Sequence, residues 1–78
     1  MLRIRKSFKQ KIAIFAKDPF NSHLNNHPLK REYQGYRSID ITADWRALYK
    51  EVEVDEDIVA YFVLLGTHDQ LYGWKSLR

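Results

Sequence analysis

The sequence predicts an α+β domain in which an antiparallel sheet of three to four strands packs against an N-terminal helix. Three observations carry this. Phe8, Ile12 and Phe15 recur at helical spacing near the start of the chain. Residues 36–51 (YRSIDITADWRALYKE) alternate apolar and polar side chains on both sides of a short turn. Residues 58–65 (IVAYFVLL) are apolar at every position.

The helix covers residues 5–17. Phe8, Ile12 and Phe15 fall at i, i+4 and i+7, Ile4 and Ala16 extend the stripe, and lysines fill the opposite side. Asp18-Pro19 ends it, because a residue before proline is pushed out of the α region. Residues 20–28 (FNSHLNNHP) are dense in turn formers and read as a loop, with Leu24 and Leu29 pinning it to the core. Strands follow at 33–41, with a kink point at Gly35, then at 45–52 and 58–65. An exposed acidic tip, 53–57, joins the last two. A strand apolar throughout is usually covered on both faces, so the third strand is expected at the centre of the sheet. Gly66-Thr67-His68 breaks the pattern, and residues 69–72 make one helical turn.

Parity fixes the first hairpin. Ile39 and Ile41 share a face, as do Trp45, Ala47 and Tyr49. Putting both sets on the core side demands an odd number of loop residues. A three-residue loop, Thr42-Ala43-Asp44, pairs Ile41 with Trp45 and Asp40 with Arg46, and expects a left-handed residue at Asp44. Ser38, Asp40, Arg46 and Leu48 then meet on the second face. Taken on the hairpin alone, an opposed Asp–Arg pair is ordinary sheet glue worth about 0.2–1 kcal/mol.

The 78 residues make one domain, 1–78. With no cysteine, neither disulfides nor thiolate zinc sites can brace it, which suits a reducing cytoplasm. No apolar run reaches the roughly 20 residues that span a bilayer, and the basic start MLRIRKSFKQ lacks a signal-peptide core. The net charge of +3 is unevenly spread. Residues 1–31 carry eight Lys or Arg against one acid, residues 32–78 five against nine. A basic first part fits either a solvated helix face or an acidic partner such as nucleic acid. Of the histidines, His27 precedes the first strand and His68 follows the third, at opposite ends of a three-stranded meander. Each alone reads as a loop residue. His23 and His27 have i, i+4 spacing, but Asn25, Asn26 and Pro28 oppose the helix a metal pair would need.

Three motifs in order, LNNHPLK, GYRSIDITADWRALYKE and FVLLGTHDQLY, resemble the RelE/ParE toxin superfamily, in particular the YafQ-like branch of type II toxin–antitoxin toxins. The resemblance covers roughly residues 5–73. It implies an antiparallel sheet on N-terminal helices, and a cytoplasmic, cofactor-free endoribonuclease that cuts mRNA on the ribosome and is silenced by a cognate antitoxin. It implies that His27, His68 and Asp44 are catalytic, that Arg46 meets the scissile phosphate, and that Tyr72 lies against the reacting nucleotide. Two positions depart from the pattern: Asp40 stands where relatives carry histidine or lysine, and Ser38 where they carry aspartate or lysine.

The implied reaction is attack of a 2′-hydroxyl on the adjacent phosphate. Asp40 or His27 would be the base, Arg46 a planar clamp for phosphate oxygens, and His68 the acid for the leaving oxygen. Tyr72 would stack on a base. Arg3, Arg5, Lys6, Lys9, Lys11, Lys30 and Arg31 would hold RNA phosphates. Two other readings stand beside it: a ParE-like toxin acting on gyrase, and an inactive shortened toxin that still binds antitoxin. Family members usually begin with one more strand and helix. Without them the apolar third strand is expected to lack cover, inviting an antitoxin segment or a second copy onto an open edge.

Overall fold

The computed structural model describes residues 2–72, with the backbone alone at Leu2 and Tyr72. Helix α1 spans Leu2–Lys17, starting earlier than the stripe alone predicts because Ile4 still has a partner, lying with Phe8 against Leu65. It ends as expected. Asp18 N donates to Ile14 O at 2.8 Å, and Pro19 follows. Phe8, Ile12 and Phe15 face the sheet.

Strands β1 (His27–Pro28), β2 (Arg37–Asp40), β3 (Trp45–Val54) and β4 (Asp57–Thr67) form one antiparallel sheet in the order β1-β2-β3-β4. The first difference from expectation lies in the segments before β2. The loop holds an additional strand: His27 pairs with Ser38 and Pro28 with Arg37. Its two residues are too few to show alternation, and Pro28 is tolerated because β1 is an edge. The segment before β2 is also not extended. It makes a 3-10 turn at Arg31–Tyr33 and bends through Gly35, whose φ of 94° suits glycine.

The second difference is the place of β4, which is an edge strand and not the central one. The fourth position in the sheet is taken by β1 at the far side. Among the described residues nothing pairs with the outer edge of β4. Its apolar side chains are correspondingly open, with Ile58 71% and Tyr61 58% exposed.

The β2–β3 hairpin keeps the register that parity demands. Ile39 faces Ala47 and Asp40 faces Arg46. The turn closes differently, since Asp44 is not left-handed. Instead the Thr42 hydroxyl accepts from Asp44 N at 3.3 Å and Trp45 N at 3.1 Å, a side-chain substitute for the backbone twist.

The core lies between α1 and the sheet. Leu24, Ile39, Ile41, Ala47 and Tyr49 are buried there, and edge-on contacts of Phe15 with Tyr49 and Phe62 at 5.0 and 5.4 Å knit helix to sheet. The second face is covered too. Ser38 and Leu48 on that face are fully buried. Helix α2 (His68–Tyr72) folds back over it, with Leu71 packed where a side chain on Gly66 would stand. The Tyr33 hydroxyl donates to Leu71 O at 2.9 Å and ties the loop before β2 to this lid. The first half of β3, not β4, is therefore the doubly covered strand.

The β3–β4 tip is tighter than the acidic run suggests. Val54 pairs with Asp57, and both central residues, Asp55 and Glu56, have positive φ, 49° and 73°. Such a two-residue turn matches the strand twist but strains a glutamate, at about 1–2 kcal/mol for a left-handed non-glycine residue. Glu56→Gly is expected to raise the unfolding free energy by about 1 kcal/mol after glycine's greater entropy loss is deducted. Urea denaturation of the two proteins measures it.

Candidate functional site

On the second face of the sheet, two adjoining hollows share Arg46 and His68. One, of about 380 Å³, is lined by Asn25, His27, Leu29, Ser38, Arg46 and His68. The other, of about 580 Å³, is lined by Ala43, Asp44, Arg46, Thr67, His68 and Asp69. Together they make an open polar groove at the end of the sheet where β1, the 42–44 turn and the start of α2 converge.

His27 reaches this groove because of β1. The chain crosses from α1 through a turn at Ser22–Leu24, capped by Asn21, whose side chain accepts from His23 N at 2.9 Å. Leu24 is fully buried and serves as the expected anchor. Leu29 does not. It is only half-buried and lines the groove. Asn26 fixes the rest. Its amide donates to Pro19 O at 2.9 Å and to the Tyr49 hydroxyl at 2.8 Å, and its oxygen accepts from Arg37 Nε at 2.7 Å. Helix exit, β2 and β3 are thus joined through one side chain next to His27.

The ring of His27 is oriented by its own turn. Nδ1 lies 2.7 Å from Asn25 O. A carbonyl can only accept, so Nδ1 carries the proton and Nε2 keeps the lone pair in the neutral ring. Asn25 presents that carbonyl from a left-handed conformation, φ 48°, which asparagine tolerates better than most residues.

His68 opens α2. Thr67 and Gln70 form a reciprocal cap: Gln70 N donates to Thr67 Oγ1 at 3.1 Å, and Thr67 N to Gln70 Oε1 at 3.0 Å. His68 N donates to Asp44 O at 2.9 Å, which holds the start of α2 against the β2–β3 turn. The T-x-x-Q pattern was legible in the sequence as a helix start one residue before His68.

Arg46 is held more tightly than a free phosphate clamp would be. Nε lies 3.0 Å from Asp40 Oδ1. This oxygen is shielded from solvent and has no well-aligned donor, so charge more than hydrogen-bond geometry holds the pair. Nη1 donates to three carbonyls, Thr42, Ala43 and Trp45, at 3.0–3.2 Å. Only Nη2 has no partner among the described residues. The two-point grip expected of the fork is reduced to one nitrogen in this arrangement.

The groove thus brings together His27, Asp44, Arg46 and His68. Asp40 lies behind Arg46 and lines neither hollow. Lys30 and Arg31 are exposed on the loop that follows β1. Lys6 and Lys9 are on α1, across the sheet from the groove. The side chain of Tyr72 lies outside the described residues. Asn25, Asn26, Thr67 and Gln70, which orient the two histidines, were not singled out from the sequence.

No family model and no curated protein matches the chain. Solved structures do. YafQ from E. coli strain BL21(DE3) superposes with a TM-score of 0.69 at 25% identity, over 88% of this chain and 74% of that one. A YoeB/ParE toxin from Agrobacterium tumefaciens superposes with a TM-score of 0.67 at 24% identity, over 86% and 76%. The chain has the RelE/YafQ-like toxin fold. In this toxin fold the sheet's second face carries the groove, and α1 covers the first.

Asn26 offers the direct test of how the groove is held. Asn26→Ala strands a tyrosine hydroxyl, a carbonyl and a guanidinium nitrogen together, each unmade partner costing about 1–3 kcal/mol if it stays buried. Because Asn26 is only half-buried and water can reach part of the cluster, the expected loss is about 2 kcal/mol, read from urea unfolding.

Proposed function

We propose that the chain is the toxin of a type II toxin–antitoxin pair, an endoribonuclease that cuts ribosome-bound mRNA. The observation that supports this most is the gathering of two histidines and an arginine around one open groove, from three separate parts of the chain. The likeness to YafQ and to a YoeB/ParE toxin supports the toxin reading.

Arginine and histidine suit the cleavage of RNA without a metal. His27 is the general base. Its Nε2 lone pair takes the proton of the 2′-hydroxyl, and O2′ then attacks the neighbouring phosphorus. Arg46 Nη2 donates to a phosphate oxygen as charge builds on it. His68, as imidazolium, gives its proton to O5′ as the P–O5′ bond breaks. The products are a 2′,3′-cyclic phosphate and a 5′-hydroxyl end, with one proton removed and one returned. Asp44 lines the groove beside His68 and holds the start of α2 through its carbonyl, which accepts from His68 N. Asp40 is not the base: its charge is spent on Arg46 and it has no access to the groove. Lys30 and Arg31 hold the flanking phosphates, and a cognate antitoxin silences the site by covering it.

The test is a translation reaction containing purified ribosomes and a defined mRNA, with cut sites mapped by primer extension. Cutting is expected only when ribosomes are present. His27→Ala and His68→Ala should each lower the rate about 10²–10⁴-fold in protein that still folds. Asp40→Asn keeps the shape and an oxygen for Arg46, and should stay within about tenfold of the parent. A loss at Asp40→Asn as large as at His27→Ala would transfer the base role to Asp40. Absence of RNA cutting together with inhibition of gyrase would replace this reading with the ParE-like one.

A further inference from the structure

Ser38 is fully buried, and its hydroxyl has no hydrogen-bond partner among the described residues. Buried hydroxyls nearly always have one, because leaving water without a replacement bond is unfavourable. Asp40 Oδ1, the other shielded oxygen without a hydrogen bond, is compensated by the charge of Arg46. Ser38 has no such compensation. The sheet register isolates it. Ser38 stands opposite His27 on β1 and Leu48 on β3, and cross-strand partners share a face. Leu48 offers a hydroxyl nothing. What remains is the smaller hollow, which Ser38 lines together with His27, Arg46 and His68.

The two hollows differ in charge. Asp44 and Asp69 line the larger one, and their carboxylates oppose an anion. Among the described residues no carboxylate lines the smaller one, whose charged group is the Arg46 guanidinium and whose titratable groups are two imidazoles. Such a lining selects an oxyanion. Arg46 meets it with Nη2 alone, because Nε is held by Asp40 and Nη1 by three carbonyls. A tetrahedral phosphoryl group in a diester presents two non-bridging oxygens, and one nitrogen answers only one of them. A serine hydroxyl is both donor and acceptor, and facing an oxyanion it donates. Because this hydroxyl is already out of water, it gives up no hydrogen bond on binding, whereas an exposed serine would.

We propose that the smaller hollow is a phosphoryl subsite and that Ser38 is one of its ligands. Ser38 Oγ donates to one non-bridging oxygen and Arg46 Nη2 to the other, so that serine and arginine together make the two-point grip that the arginine fork does not make alone. The hydroxyl is shielded from solvent, so the lining side chains part as the oxygen arrives. The larger hollow, with its two carboxylates, is left to parts of the nucleotide that carry no charge. The inference rests on the proposed RNA cleavage only in naming this group as the scissile phosphate. That the hollow takes a phosphoryl group rests on the unpaired hydroxyl and on the lining.

The test is titration of the full chain with inorganic phosphate, and separately with a 2′-deoxy dinucleotide that cannot be cut, followed by the imidazole proton resonances. Both probes should shift His27 and His68 and leave His23, which lines neither hollow, in place. Ser38→Ala should weaken both about tenfold, the loss expected for one hydrogen bond to a charged group. The same variant should melt about 4 °C higher, because it removes a buried hydroxyl that has no partner. A serine with a merely structural role moves the other way, melting lower and binding phosphate as before. Unchanged affinity in Ser38→Ala overturns the proposal, as does the absence of any shift at His27 and His68. Binding of inorganic phosphate without the dinucleotide overturns the assignment to a diester. Failure of the proposed activity is distinguishable. Ser38-dependent binding without RNA cutting removes the activity and keeps the subsite, and RNA cutting at the parent rate by Ser38→Ala keeps the activity and removes the role of Ser38.

Discussion

The groove depends on the amide of Asn26. A short loop dense in polar residues cannot hold its position by burial alone, and Leu24 is its only fully buried member. Asn26 supplies what burial does not, binding the helix exit, Arg37 on β2 and Tyr49 on β3 with one planar group. The two residues that follow it are thereby laid against β2 as a strand. His27 becomes part of the sheet and shares a hollow with a residue from the far end of β4. A side chain with both donors and an acceptor in fixed geometry is required for this.

The sheet is finished on one side and open on the other. Around β2 and the start of β3, both faces are covered, by α1 and by α2 with its preceding loop, and the fully buried Ser38 and Leu48 mark the result. Toward β4 the cover thins. The polar groove sits at the end of the sheet where β1, the 42–44 turn and the start of α2 meet. The apolar side chains lie where that cover is thin. The polar groove and the apolar surface thus occupy different parts of the sheet, one at its end and the other along the outer edge of β4.

Much of this was legible in the sequence wherever period and parity act. The α1 stripe, its stop at Asp18-Pro19 and the Asp40–Arg46 pairing all follow from spacing and side-chain size. The failures have particular causes. The strand at His27–Pro28 has too few residues for alternation, and its pairing is imposed by a distant asparagine. The central position expected for β4 came from treating an all-apolar strand as a doubly covered one. Hydrophobicity reports that a surface wants cover, not whether this chain provides it. The closeness of His27 and His68 was missed for the same reason as β1: in a three-stranded meander the two are far apart, and the additional strand brings them to one end. The T-x-x-Q cap before α2 was visible and would have set the start of that helix.

Arg46 has two unrelated duties. Three carbonyls of the β2–β3 turn converge on one of its nitrogens, and Asp40 on another, so the residue locks the turn as well as facing the groove. The histidines sit differently: His68 is exposed at the start of α2, and the bond from the His27 ring is to its own loop. The consequence is an asymmetry in how the gene can decay. Substitutions at the histidines alter the groove's lining while leaving the fastening of the β2–β3 turn in place. Substitutions at Arg46 remove the turn's fastening along with the groove's charge. Copies of the gene kept only for their fold would therefore lose the histidines first and keep the arginine.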